Sequence, residues 1–126
     1  MKIALPLVNN NKLESEISEH FGHASYFGFV EIKNKKIVGY EIVPNTFESH
    51  VICDLSKLLQ QKNAEILIAS EMGQRALDCF DNFNIKVITG ASGKIKEIVE
   101  AYLKGELEVD ESWKENQELA NHDLEE

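Results

Sequence analysis

Four side chains that could bind a soft metal fall in two short clusters of this chain. His20 and His23 lie three residues apart in the polar stretch 18–24, and His50 and Cys53 have the same spacing. Neutral imidazole binds zinc, iron and copper, and thiolate binds zinc and iron–sulfur clusters. A turn at the glycine between the first two histidines would let their rings converge. The pattern predicts a metal or metal-cluster site formed by these four residues.

Each cluster also has an ordinary structural interpretation. A single His-x-x-His motif is weak, because one ring can hydrogen-bond a backbone carbonyl while the other is solvated. Cys53 lies in the first turn of a predicted helix, where the helix dipole favours a thiolate. A free cysteine is equally common as a small buried hydrophobe, which is what we expect of Cys79 beside Phe80. Spacing alone leaves both interpretations open.

Arg75 is the one arginine of the chain, and its position suggests a role with anions. It follows Met72 and Gly73 in the first turn of a predicted helix, just past the end of a predicted central strand. Ligands of open α/β sheets bind at that edge, and a helix start that carries arginine suits carboxylates or phosphates. Lys94 has the matching place on the next helix, where a solvated charge is the simpler interpretation.

The elements that must position these residues follow from apolar periodicity. Short β-rich runs alternate with helical stripes in the order β-β-β-α-β-α-β-α, which indicates an α/β fold with a mixed five-stranded sheet and helices on its faces. Asn34 and Lys35 predict a tight hairpin turn, and Ser70 and Ser92 are the candidate N-caps of the second and third helices. The predicted strands are 2–8, 26–33, 36–43, 65–69 and 85–89. The first predicted helix is 50–62, and the third ends before Gly105. Residues 13–18 are expected to form one helical turn at most.

Charge divides the chain into two parts. The 126 residues carry a net charge of −9, and residues 106–126 hold nine acids and one lysine, so they account for −8 of it. We expect one metal-binding domain at 1–107 and an acidic tail at 108–126, flexible or docked as a short helix through Trp113. A near-neutral domain without a basic stripe gives nucleic-acid binding little electrostatic support.

Composition also predicts where the protein works. Two cysteines are too few for a disulfide scaffold, which makes a reducing compartment the default expectation. The first residues predict a strand rather than a signal peptide, and no run approaches the ~18 apolar residues of a membrane span. We therefore expect a cytoplasmic protein with no membrane association.

Several segments resemble the dinitrogenase iron–molybdenum cofactor biosynthesis family, the domain of NifX, NafY and the C-terminal part of NifB. They are Glu-His-Phe-Gly at 19–22, the hairpin after it, Met-Gly at 72–73, Gly-Ala-Ser-Gly at 90–93 and Ala-Tyr-Leu-Lys-Gly-Glu-Leu at 101–107. The resemblance covers about residues 1–108. It implies a ribonuclease-H-like fold without nuclease chemistry and a role as a non-enzymatic carrier of an iron–sulfur or iron–molybdenum cluster precursor.

In such a carrier the histidine of His-Phe-Gly is the expected cluster contact. The resemblance then makes His20, Phe21, Gly22 and Arg75 the cofactor-binding residues, and cofactor-assembly proteins the expected partners of a monomer or weak homodimer. The chain departs from the family pattern at His23, where arginine is common, at 49–53, where a His-Gly-rich stretch is common, and at Gln74, where proline is frequent. These departures favour a site with more direct ligands.

Two other functions remain open on the sequence. The four clustered ligands could form a mononuclear zinc or iron site. The chain could instead be a metal-free regulatory module that engages a partner through its acidic tail.

Overall fold

A computed structural model describes residues 1–45 and 52–109, with the side chains of residues 52–55 outside the description. The predicted order of elements is confirmed, with each boundary within a few residues of its expected place. The strands are β1 (Lys2–Leu7), β2 (Tyr26–Lys33), β3 (Lys36–Pro44), β4 (Ile66–Ile68) and β5 (Lys86–Ile88), and the helices are α1 (Ile52–Gln61), α2 (Gln74–Asn82) and α3 (Ile95–Leu103), with a single 3₁₀ turn at Phe21–His23.

The five strands form one mixed sheet in the order β3-β2-β1-β4-β5. β2 is antiparallel to both of its neighbours, whereas β1, β4 and β5 run parallel to one another. The carboxyl ends of these three parallel strands therefore meet at one edge of the sheet, which is where ligands bind in open α/β folds.

The hairpin between β2 and β3 confirms the predicted tight turn. Asn34 and Lys35 have φ angles of 52° and 61°, and Lys33 pairs directly with Lys36. Positive φ at both central residues is what a type I′ turn requires, and asparagine tolerates that conformation better than most residues.

Both faces of the sheet are covered, because β1 buries its side chains in two directions. Ala4 joins a core with Phe27, Phe29 and residues of α1 and α2, among them Leu59 and Phe80. Ile3, Leu5 and Leu7 face the other way, into a core completed by Ile95, Ile98 and Val99 of α3. A strand that is apolar on both faces is typical of the centre of such a sheet.

The two helix caps predicted from serine are wrong. Gly73 is the N-cap of α2 and Lys94 is the N-cap of α3. The backbone at Ser70 is bound to other segments instead. Its carbonyl accepts a hydrogen bond from the Gly90 N–H at 2.8 Å, and the next residue, Glu71, donates to the Glu19 carbonyl at 3.0 Å. Tertiary hydrogen bonds thus delay the start of α2.

The segment 13–18 is likewise held by strand-like contacts. Ile17 pairs with Leu7, and Glu16 pairs with Lys94 in isolated bridges. The Ile17 N–H donates to the Gly93 carbonyl at 2.9 Å, so residues 93 and 94 pair with this segment and α3 starts past Ser92, after Lys94.

No helix in the described residues is long and apolar enough to cross a membrane. The predicted tail at 108–126 lies outside the described residues from residue 110 onward. Before that point, Leu107 packs against the core under α3.

Candidate functional site

The loop that carries His20 is tied at both ends to the end of β1. The Ser18 N–H donates to the Pro6 carbonyl at 2.8 Å, and the Ser25 N–H donates to the Leu7 carbonyl at 2.9 Å. The loop between them therefore stands at the carboxyl edge of the parallel strands. This is the predicted location of the site.

A second set of hydrogen bonds joins this loop to the residues that follow β4. The Glu71 N–H donates to the Glu19 carbonyl at 3.0 Å, and the Phe21 N–H donates to the Glu71 carbonyl at 3.1 Å. His20 and Glu71 thus pair as in a parallel bridge. Their side chains are neighbours because two chain segments after different strands are paired here.

The imidazole of His20 meets the carboxylate of Glu71. Nδ1 of His20 lies 2.8 Å from Oε2 of Glu71, with the side chains 59% and 34% exposed. A carboxylate only accepts hydrogen bonds, so this contact favours the imidazole tautomer with the proton on Nδ1. When the ring is neutral, Nε2 then presents its lone pair, which is the atom and state that ligate a metal.

The side chain of Phe21 anchors this loop in the hydrophobic core. Its side chain is 4% exposed, and its ring centroid lies 5.5 Å from that of Phe80 in an edge-to-face contact and 5.9 Å from that of Phe27. The ring that was predicted to contact a cofactor is thus part of the core. What it supplies to the site is the position of the residue before it.

His23 ends the 3₁₀ turn and stands beside His20. The His23 N–H donates to the His20 carbonyl at 3.0 Å, with Gly22 as the middle residue of the turn. The two ring centroids lie 6.1 Å apart at an interplanar angle of 83°. The two imidazoles are therefore neighbours on the exposed surface of the loop, and their joint binding of a metal stays a prediction.

The other predicted site residues are described only in part. His50 and the side chain of Cys53 lie outside the described residues, so their predicted role as ligands stays a prediction. Arg75 is exposed in the first turn of α2, as expected. Cys79 is buried in α2, as expected.

Within residues 1–45 and 56–109, no three histidine, cysteine, aspartate or glutamate side chains come together closely enough to hold a metal ion. A mononuclear site with three protein ligands would therefore need at least one ligand from outside those residues. A preassembled cluster carries its own bridging atoms and needs fewer protein ligands.

Glu71 is the residue that the sequence analysis missed. The available signal was its place, since it comes two residues after a buried central strand whose parallel neighbour leads into the histidine loop. Polar side chains at the carboxyl ends of adjacent parallel strands meet at one edge. The pairing of β1 with β4 decides that meeting, and it cannot be derived from either segment alone.

Comparison with known proteins gives consistent results. A model of the family described as dinitrogenase iron-molybdenum cofactor matches residues 1–105. The chain is 33% identical over 111 residues to the uncharacterized protein MJ0580 of Methanocaldococcus jannaschii, an alignment that covers 86% of this chain and 90% of that protein.

Solved structures show the same fold. The crystal structure of PH0822 superposes with a TM-score of 0.82 at 31% identity and covers 90% of this chain and 99% of that one. The structure of a putative NifB protein from Thermotoga, TM1290, superposes with a TM-score of 0.69 at 27% identity and covers 86% and 91% of the two chains.

Proposed function

Since the chain belongs to the dinitrogenase iron-molybdenum cofactor family, we propose that it is a non-enzymatic carrier of an iron–sulfur or iron–molybdenum cluster precursor. The cluster is cargo, received from and passed to cofactor-assembly proteins. His20 is its principal ligand through Nε2. His23 stands beside it, and Arg75 is the charge that attracts an anionic cluster.

The 2.8 Å contact between Nδ1 of His20 and Oε2 of Glu71 is the observation that supports this proposal most. Histidines that bind metals almost always donate their other ring N–H to a carboxylate, a carbonyl or water, which fixes the tautomer and makes the ligating nitrogen more basic. In His20 a carboxylate oxygen lies 2.8 Å from Nδ1, in the position of such a partner.

The arrangement of ligands favours a cluster over a single zinc or iron ion. His20 and His23 are the two candidate ligands whose side chains the structure describes. Two imidazoles at an exposed edge suit cargo that arrives assembled and leaves again. The strand order, with β2 antiparallel to both neighbours, also supports the ribonuclease-H-like arrangement that the family resemblance implies.

The test is anaerobic iron–sulfur reconstitution of reduced full-length protein, followed by absorption spectra and iron counting. We expect the wild type to take up iron with sulfide-to-iron absorption and His20→Ala to lose most of it. Glu19→Gln is the matched control, because it changes the preceding exposed residue of the same loop without removing a ring. Thermal unfolding of each variant confirms that the loop change has not unfolded the domain.

Two results would count against the carrier. Absence of iron uptake by the wild type contradicts it directly. Tight binding of zinc or iron without sulfide-to-iron absorption would instead identify a mononuclear site. Iron uptake that is unchanged in His20→Ala would leave the carrier role in place but remove His20 from it.

A further inference from the structure

A groove at some distance from the histidine loop runs between α3 and the tip of the β2–β3 hairpin. Its volume is about 850 Å³. The hairpin tip follows the pairing of Glu31 with Lys2, at the amino end of β1, so it lies at the sheet edge opposite to His20. Nothing in the proposed carrier role uses this surface.

The walls of the groove concentrate positive charge. Lys35 and Lys36 come from the hairpin tip and Lys96 and Lys104 from α3, against two acids, Glu100 and Glu106. Residues 1–105 as a whole carry a net charge of only −1. None of the four lysines is ion-paired with another described residue, whereas Lys62 and Lys94 elsewhere on the domain are paired.

Between these lysines the groove has an apolar lining. Leu13, Ile37 and Leu103 contribute to it, and all three pack at the margin of the core under α3. An apolar strip edged by lysines is complementary to a segment that combines carboxylates with an exposed aromatic ring.

The chain itself leads to this groove. Gly105 adopts a positive φ of 73° after α3, and the Glu106 N–H donates to the Ala101 carbonyl at 2.8 Å. This glycine C-cap turns the backbone back along the helix, so that Glu106 lines the groove and Leu107 packs beside it. The 17 residues from 110 to 126 can span up to about 56 Å when extended.

We propose that the groove binds the chain's own acidic C-terminal segment, residues 110–126. This segment has seven acids, one lysine and Trp113, the single tryptophan of the protein. Its carboxylates face the four lysines, and the indole covers the apolar strip four residues after the last described one. The segment is thereby held away from the His20 edge, and its high local concentration disfavours other acidic peptides in the groove.

Because Trp113 is the single tryptophan, its fluorescence reports the position of the segment in the full-length protein. We expect an emission maximum at shorter wavelength and weaker acrylamide quenching than in the urea-unfolded chain. Lys36→Glu/Lys96→Glu should move both values most of the way to those of the unfolded chain. Raising NaCl to about 1 M, where charges are screened beyond about 3 Å, should act in the same direction.

The matched control is Lys62→Glu/Lys86→Glu, which makes the same change in net charge away from the groove and should leave Trp113 emission as in the wild type. Far-ultraviolet circular dichroism checks that each variant is folded. Emission equal to that of the unfolded chain in the folded wild type overturns the proposal. Protection of Trp113 from acrylamide that is the same in the groove variants as in the wild type also overturns it. Protection that disappears on dilution overturns it as well, because the segment would then occupy the groove of a second copy.

Discussion

Oε2 of Glu71 lies 2.8 Å from Nδ1 of His20, and the two residues belong to segments that follow different strands of the sheet. The contact exists because the parallel pairing of β1 with β4 brings the two strand ends together. It favours the imidazole tautomer of His20 with the proton on Nδ1. The candidate site is therefore prepared by sheet topology rather than by the local His-x-x-His spacing.

Removing the carboxylate should weaken metal binding at His20 without removing the ligand itself. For Glu71→Ala we expect the reconstituted protein to lose iron to a chelator about 10–100 times faster than the wild type, which is the usual effect of deleting such a partner. Glu71→Gln keeps an acceptor oxygen, and its rate of iron loss should fall between those of the wild type and Glu71→Ala. Nitrogen NMR of the imidazole gives a second measurement, since the wild type should show the tautomer protonated at Nδ1.

Glu19→Ala is the control for that comparison, because Glu19 is an exposed acid one residue before His20. It should lose iron at the wild-type rate. Equal rates for Glu71→Ala and the wild type would show that the carboxylate does not act through His20.

His23 should contribute less to cargo binding than His20. Its ring stands 6.1 Å from that of His20, but within the described residues it has no carboxylate on its second nitrogen. We expect His23→Ala to retain part of the iron that His20→Ala loses. The double variant should retain no more than His20→Ala alone, because two ligands of one cluster are not independent. Iron per chain after desalting measures all three, and equal losses in the two single variants would contradict this ranking.

The sequence predicted the architecture well because its signals there are local. Asn34 and Lys35 both take the positive φ that a two-residue hairpin requires, and the apolar stripe of α3 is buried at Ile95, Ile98 and Val99. These outcomes follow from turn chemistry and helical periodicity, which short stretches of sequence contain in full.

The errors arose where distant segments compete for the backbone. Ser70 and Ser92 have the chemistry of N-caps, yet hydrogen bonds pair residues 70–71 and residue 93 with other segments, and both helices start a few residues later. The same pairing that displaced the first cap placed Glu71 beside His20. The missed helix start and the missed site residue therefore have one physical cause.

The pair formed by Lys94 and Glu14 predicts a pH dependence of stability. Nζ of Lys94 lies 3.0 Å from Oε2 of Glu14, and the hydrogen bond to that carboxylate, followed by its charge, raises the pKa of Lys94 above its ordinary value of 10.5. A pKa raised by folding means that the stabilisation is complete below the unfolded-state value. It is lost as the pH rises through the folded-state value.

We therefore expect the wild type to be more stable than Lys94→Gln at neutral pH, with a difference that is lost as the pH rises through the raised pKa of Lys94. Urea unfolding of both proteins from pH 7 to 11.5 measures it. Lys86→Gln, which removes an exposed lysine of β5, is the control with the same change of charge. A gap between the wild type and Lys94→Gln that stays constant over this range would contradict the assignment. Since both side chains are substantially exposed, the gap itself should be small.

Phe21 should be the most sensitive position for stability in the histidine loop. Its ring is 4% exposed and contacts both Phe80 of α2 and Phe27 of β2. Truncation leaves a cavity between the loop, the helix and the sheet, so Phe21→Ala should lower the free energy of unfolding by about 3–5 kcal/mol. Phe21→Leu fills most of that space and should lower the free energy of unfolding clearly less than Phe21→Ala does.

The same ring holds the backbone that pairs with Glu71, since the Phe21 N–H donates to the Glu71 carbonyl. We therefore expect Phe21→Leu to remain folded while its residue-21 amide exchanges with solvent faster than in the wild type, because the loop is less firmly seated. Denaturant unfolding and hydrogen exchange measure the two effects separately. Lys33→Ala, at an exposed end of β2, is the control. It should change neither the free energy of unfolding nor the exchange rate of the residue-21 amide by much. A loss below about 1 kcal/mol for Phe21→Ala would show that the loop is not held by this ring, and the position of His20 would then depend on its hydrogen bonds alone.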